Sequence, residues 1–282
     1  MIYEFIDKRD IALESKNLHT ERVNRDGTLA NYHRSIERVI QVMYERLGDS
    51  LTIDDLAESA FMSRYHFIRV FSLITGVSPA RFLAAIRIQE AKRLLLKTNY
   101  HVTDISLDVG YNSLGTFTRI FSDFVGVPPS RFRELGLSLL GANVGDLASL
   151  LGSIEKSRIK LPTITGNVVY DSPLALVTVA MFSTEIPRSR PIECTCLTDS
   201  TQFTFSSSLS LNTYIFAVGL THTTTIEDAI LLDNESTLVG AGCPTLETTD
   251  NLELKLRKHR TVDLPVVVAY PLLIAESMLT KI

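Results

Sequence analysis

The sequence has no tryptophan and only three cysteines, Cys194, Cys196 and Cys243. Three thiols cannot all pair within one chain, so a disulfide framework is excluded. Without tryptophan, the aromatics left for stacking on a sugar in the second half are Tyr170, Phe203, Phe205, Tyr214 and Tyr270. No apolar run approaches the ~20 residues that a membrane-spanning helix needs, and no membrane partner is expected. The opening stretch MIYEFIDKRDIALESK is charged throughout and has no apolar h-region, so a cytoplasmic location is the expectation. A dominant charge is missing too. The net charge is −4, with 18 Lys and Arg against 17 Asp and Glu over residues 1–135 and 10 against 15 thereafter. A nucleic-acid partner is therefore expected only on the front half, and without a strongly basic footprint. G-x-S-x-G, a Walker loop and H-E-x-x-H are absent, and no nucleophile–base pair stands out, so neither an enzyme nor a bound cofactor is expected.

What is present is a repeat. SRYHFIRVFSLITGVSPARF starts at Ser63 and SLGTFTRIFSDFVGVPPSRF at Ser113, fifty positions later, with ten of twenty positions identical. One structural unit is used twice. Around it the periodicity is helical. NYHRSIERVIQVMYERLGD puts Ile36, Val39, Ile40, Met43 and Leu47 on one stripe. LTIDDLAESAFMS offers Thr52 as an N-cap with Asp54 and Asp55 in the first turn, and the helix breaks at Phe61-Met62. Ser63 is expected to cap a second helix that ends near Gly76. Two short helices across a tight turn make a helix-turn-helix. Ser78-Pro79 then starts a longer helix to about Thr98, and VTDISLDVGYNS with SLGTFTRIFSDFVG repeats the unit with one extra residue in its turn near Gly110-Tyr111. A joining helix of ~20 residues is ~30 Å long, close to the ~34 Å between successive major-groove faces of B-DNA. The repeat gives one monomer two reading heads on one side of a duplex.

These residues resemble the AraC/XylS family of bacterial transcription regulators. The stretches that carry the resemblance are LAESAFMSRYHFIRVFSLITGVSPARFLAAIRIQEAKRLL and DISLDVGYNSLGTFTRIFSDFVGVPPSRFR, within about Asn31 to Leu135. The resemblance implies that the second helix of each unit enters the major groove of double-stranded promoter DNA. It places Arg64, Tyr65, Ile68 and Arg69 of the first unit toward DNA, and Leu114, Gly115, Thr118 and Arg119 of the second, with His66 and Ser113 beside them. An arginine at 69 or 119 can fork onto guanine O6/N7 or a phosphate, whereas Leu114 and Gly115 donate no base-specific hydrogen bond. The first unit is thus expected to supply most direct readout; the competing role for either arginine is an internal salt bridge. Members often carry lysine after the phenylalanine of R-x-F, but here Ser72 follows Phe71 and Ser122-Asp123 follow Phe121. Fewer such cations imply weaker binding and a shallower salt dependence. RNA polymerase is an implied partner if the protein activates transcription.

The boundaries expected from these patterns are an N-terminal extension over 1–30, a tandem helix-turn-helix domain over 31–135, a linker over 136–160 and a β-sandwich over 161–282. The linker is either plain or carries a short amphipathic helix through Leu147, Leu150, Leu151 and Ile154. After Pro162 the period changes to two, as in NLELKLRK and TQFTF, while LALVTVAMF and TYIFAVGL are rich in β-branched and aromatic residues. About seven or eight such strands predict an all-β antiparallel sandwich. It is similar to transthyretin- or carboxypeptidase-regulatory-type domains. The fold class is therefore multidomain, α followed by β. Three roles stay open for the back half: a small-effector sensor, a homodimerisation or protein-interaction module, and a thiol or metal sensor using the three cysteines. Alternation puts Cys194 and Cys196 on one face with Ile192, where core thiols are expected. His222 falls in a polar turn, and no metal site is expected.

Overall fold

The computed structural model describes residues 20–139, 164–184, 187–198, 200–206, 213–232, 237–242, 251–269 and 272, with side chains from Leu29 onward. Seven helices come first: α1 (Thr20–Glu45), α2 (Ile53–Ser59), α3 (Arg64–Thr75), α4 (Pro79–Lys97), α5 (Val102–Asp108), α6 (Leu114–Val125) and α7 (Pro129–Leu139). The pairs α2–α3 and α5–α6 are the two helix-turn-helix units, and α4 joins them. Two boundaries move. The helix expected from Asn31 begins at Thr20, and α7 runs past the expected end at 135 to Leu139. The stretch holding Leu147, Leu150, Leu151 and Ile154 lies outside the described residues.

The repeat is visible as one piece of packing made twice. Ile36, Val39, Ile40 and Met43 bury the inner stripe of α1 against the first unit. Phe67, Phe71 and Phe82 stack edge to face with ring centroids 5.5 Å apart. Phe117, Phe121 and Phe132 repeat the chain at 5.6 and 5.5 Å. All six rings are fully buried, as their helical spacing predicts for core. Gly76 (φ 78°) ends α3 and Gly126 (φ 96°) ends α6, each followed by a proline that opens the next helix.

Thr52 starts α2 with a full capping box. Its hydroxyl accepts from the Asp55 amide at 3.2 Å, and its amide donates to the Asp55 carboxylate at 2.8 Å. Ser63 and Ser78 stand at N-cap positions without a side-chain cap bond, so the cap expected of Ser63 is one of position only. The Thr52 hydroxyl and amide hold the Asp55 carboxyl below its ordinary pKa. Thr52→Ala should lower stability by about 1 kcal/mol, measured in a urea melt at neutral pH. Because the folded pKa of Asp55 is depressed, its contribution is present above the ordinary carboxylate range and is lost as pH falls through the depressed value. The difference between Thr52→Ala and wild type should therefore shrink in strong acid.

The β-rich part contains β1 (Ile164–Val169), β2 (Leu176–Phe182), β3 (Glu193–Leu197), β4 (Gln202–Phe205), β5 (Tyr214–Leu220), α8 (Ile226–Leu231), β6 (Thr237–Gly242), β7 (Leu252–Lys255) and β8 (Arg257–Lys258). A three-stranded sheet runs β4-β1-β7 and a five-stranded sheet β3-β2-β5-β6-β8. The expectation of an all-β antiparallel fold needs two corrections. A helix is present: Thr225, the last residue of the polar turn that holds His222, accepts from the Asp228 amide and starts α8. One pair is parallel: β7 lies beside β1 with Val168 opposite Leu254. NLELKLRK serves both sheets, since β7 pairs with β1 while β8 pairs with β6.

β2 is buried along its whole length. Val177, Val179 and Met181 share a core with Ile164, Phe203, Phe205 and Leu254 of the smaller sheet. Leu176, Ala180 and Phe182 face the other way, into the core that holds α8, Leu264, Val267, Val268, Ala269, Leu272 and the helix-turn-helix aromatics. Coverage on both faces explains why LALVTVAMF is a continuous apolar run without alternation. It also means the helical and β-rich parts share one continuous core.

Candidate nucleic-acid interface

The buried side of α3 is Phe67, Val70, Phe71 and Ile74, which turns Arg64, Tyr65 and Arg69 outward. Tyr65 is 85% exposed. In α6 the core side chains Phe117, Phe121, Phe124 and Val125 leave Ser113, Leu114, Gly115 and Arg119 exposed and Thr118 half-buried. Ser113 caps α6 by accepting from the Thr116 amide at 3.3 Å. Arg69 and Arg119, one from each copy, therefore lie at equivalent outward positions. Among the described residues Arg69 meets the His66 Nδ1 at 3.3 Å, and neither Arg69 nor Arg119 forms an internal salt bridge. Arg64 does pair, with Asp54 at 3.1 Å, on an exposed surface where such a pair contributes little.

One expectation changes. Ile68 is partly buried and packs on the core, so it is not a freely projecting reader. Its place beside Phe67 and Phe71 on a single helix turn brings it under the edge of α3's packed face. His66 is half-buried, edge-on to Tyr32 of α1 with centroids 5.5 Å apart, and so orients Arg69 from behind.

Sequence reasoning missed the arginines that set the two units in place. Arg87 of α4 donates from Nε to Leu47 O at 2.9 Å and from a terminal nitrogen to Asp49 O at 2.7 Å. Arg133 of α7 donates likewise to Leu95 O at 2.9 Å and Tyr100 O at 2.7 Å. In both cases an arginine from the helix after a unit holds carbonyls in the last turn of the helix before it or just past its end, where cations are favoured. The guanidinium of Arg87 also lies over the Tyr111 ring at 5.7 Å. Burial pushes the Tyr111 hydroxyl up to about 12. Next to it, Gly48 and Gly110 have no room for a side chain: a Cβ would come within 2.7 Å of Asp108 O and 2.8 Å of Leu47 O, respectively. The loop after α1 is thus seated on the turn of the second unit, and the two units are braced at a point besides α4.

The β-rich part reaches the second unit directly. Arg188 pairs with Asp123 of α6 at 2.9 Å, and the Ser189 hydroxyl donates to Asp123 O at 2.8 Å. α8 packs on α4 and α7, the Gln89 amide donates to Leu231 O, and Lys97 pairs with Glu227 at 3.1 Å. Lys92 is fully buried on α4 and donates to Gln89 at 3.3 Å. Asp123, which looked like a missing phosphate contact, is the anchor of this seam.

The cysteines divide: Cys196 is buried, but Cys194 is exposed, because β3 is an outer strand and its first half is open. Cys243 lies outside the described residues, and no cluster of three or more His, Cys, Asp and Glu side chains able to hold a metal occurs among the described ones. Phe203 and Phe205 are core rings, 5.5 Å apart, and so are not available to stack on a sugar. Tyr170 is partly buried on the same core, Tyr214 is half-buried, His222 is exposed, and Tyr270 lies outside the described residues.

Residues 56–135 match the helix-turn-helix domain family. Over this region the chain is similar to transcription regulators of the AraC/XylS family. An HTH-type transcriptional regulator of Haemophilus influenzae is 43% identical over 82 residues, 29% of this chain and 28% of that protein. The bifunctional transcriptional activator/DNA repair enzyme AdaA of Bacillus subtilis is 28% identical over 100 residues, 36% of this chain and 47% of that one. Among solved structures, a probable AraC family transcriptional regulator from Rhodopseudomonas palustris is 27% identical over 36% of this chain and 95% of its own, with a TM-score of 0.34. The chain spans less than half the length of these two curated relatives. Among the described residues no single helix is long and apolar enough to cross a membrane.

Proposed function

We propose that the protein is a cytoplasmic transcription regulator that binds double-stranded promoter DNA with α3 and α6 in successive major grooves. The observation that carries this reading is the pair of equivalent outward arginines, Arg69 and Arg119, on helices whose opposite faces are fully packed. The 19 residues of α4 make a spacer of ~28 Å, near the groove repeat. In the first unit Arg69 reads a guanine edge or anchors a phosphate, Tyr65 offers a ring and hydroxyl, and Arg64 and His66 flank them. In the second, Arg119 anchors while Leu114, Gly115 and Thr118 fit the groove by shape. Arg69→Ala is expected to weaken binding to the preferred sequence by ~1–3 kcal/mol, seen by fluorescence anisotropy, and to affect random DNA less. Equal losses on both would remove the base-reading role and leave phosphate anchoring.

The β-rich part is the controlling element in this reading. A small effector, or a second copy of the chain, that shifts it would act through the Arg188–Asp123 and Lys97–Glu227 contacts on the orientation of α6 and α4. Both pairs are partly exposed, so Arg188→Ala should change stability by less than about 1 kcal/mol. Its expected effect is on DNA affinity instead, and the same affinity shift should appear in Asp123→Asn. An unchanged DNA affinity in both variants would take the seam out of the mechanism.

A further inference from the structure

The turn between the two helices of each unit is the same motif filled by different residues. After α2, the amide of Phe61 donates to Glu58 O at 2.9 Å and that of Met62 to Ala57 O at 3.0 Å. After α5, Gly110 donates to Leu107 O at 2.9 Å and Tyr111 to Ser106 O at 2.9 Å. This paired closure requires a left-handed residue at its first position, and glycine is the usual occupant. Gly110 obeys, at φ 83°, and its site has no space for a Cβ, as Arg87 and Leu47 crowd it. Phe61 takes the same place at φ 54°, and it is 87% exposed.

A phenylalanine here contributes nothing to folding that glycine would not. The left-handed conformation disfavours it, and its ring is in water instead of in the core. The apolar contact that accompanies such a closure is made by its neighbour: Met62 packs on the core while Phe61 points away. Strain held at an exposed aromatic without structural return is the mark of a contact made to something else. Position says what that is. Phe61 lies three residues before Arg64, at the N-terminal end of α3, and in helix-turn-helix docking that end contacts base edges while the preceding helix crosses the backbone. The exposed ring of Tyr65 continues the same surface.

We infer that Phe61 is a DNA-contacting residue of the first unit, laying its ring on the apolar edge of the duplex at the lip of the major groove. The inference rests on the reading of α3 as the helix that enters the groove. The contact partner is a thymine methyl or the carbon face of a deoxyribose, and it gives the first unit an apolar determinant that the second unit, with Gly110, lacks.

The test uses the full-length protein and a duplex enriched from a random-sequence library by the wild type. Phe61→Gly is expected to bind that duplex about ten-fold more weakly at fixed salt, with a Tm equal to or above that of the wild type. Phe61→Tyr keeps the ring and should stay near wild-type affinity. Repeating the measurement with deoxyuridine in place of thymine separates the two partners. If the methyl is the contact, wild type and Phe61→Gly converge on the uracil duplex; if the sugar is, the gap persists. Wild-type affinity in Phe61→Gly alongside a weakened Arg69→Ala would overturn the inference and leave the docking of α3 intact. Undiminished binding in both variants would instead overturn the docking of α3, and the inference with it.

Discussion

Phe121→Ala is expected to destabilise the protein by about 3–5 kcal/mol. The ring is fully buried and bridges Phe117 of its own helix and Phe132 of α7, with centroids 5.6 and 5.5 Å away. Truncation removes two ring–ring contacts and leaves a cavity between elements joined by a short turn, where the fixed φ of Pro129 limits backbone collapse. Against a total stability of about 5–15 kcal/mol for an ordinary domain, this is a large share. Phe71→Ala should do the same to the first unit, because Phe67 and Phe82 frame it in the same way. Guanidinium melts followed by helical circular dichroism would measure both. A loss under 1 kcal/mol in either would mean that the repeated rings are not the structural keystone of the two units.

The two units were legible because the residues that define them act locally. Gly76 and Gly126 supply left-handed helix ends, Pro79 and Pro129 fix helix starts, and phenylalanines at helical spacing mark the buried face. What escaped the sequence depends on distance or on weak local signals. TERVNRDGTLA has no apolar stripe, so the early start of α1 was hidden. α8 carried a readable sign: Thr225-Ile-Glu-Asp has the pattern of Thr52-Ile-Asp-Asp, and both threonines cap helices. The Arg188–Asp123 pair joins residues 65 apart, and Arg87 meets Leu47 across 40, separations at which neither periodicity nor motif points to a partner. For the outward face the pattern gave the side of the helix but not its depth: Arg69 projects, whereas Ile68 is drawn onto the core and His66 onto Tyr32.

Arg87→Ala should cost about 2–4 kcal/mol of stability, and its effect on DNA binding should depend on the duplex used. The side chain makes two charge-assisted hydrogen bonds to backbone carbonyls, a part-buried one to Leu47 O at 2.9 Å, worth about 1.5–3 kcal/mol, and one to Asp49 O at 2.7 Å, which is exposed to water and worth about 0.5–1 kcal/mol. Those carbonyls belong to the loop seated on the second unit's turn, so the arginine fixes the first unit to the second as well as α1 to α4. Two heads on a rigid mount bind a two-groove site with an advantage of about 10²–10⁴ over one head, and the advantage shrinks when the mount loosens. At a temperature where the variant is folded, binding to a duplex with both half-sites should therefore fall by more than ten-fold. Binding to a single half-site should stay near wild type. Moving the half-sites apart by two or three base pairs should penalise the wild type more than Arg87→Ala, since the loosened heads adapt to new spacing. Equal losses on one and two half-sites would assign Arg87 to folding alone. Rescue by lysine is not expected: an ammonium point charge cannot hold Leu47 and Asp49 together and lie over the Tyr111 ring as the planar guanidinium does.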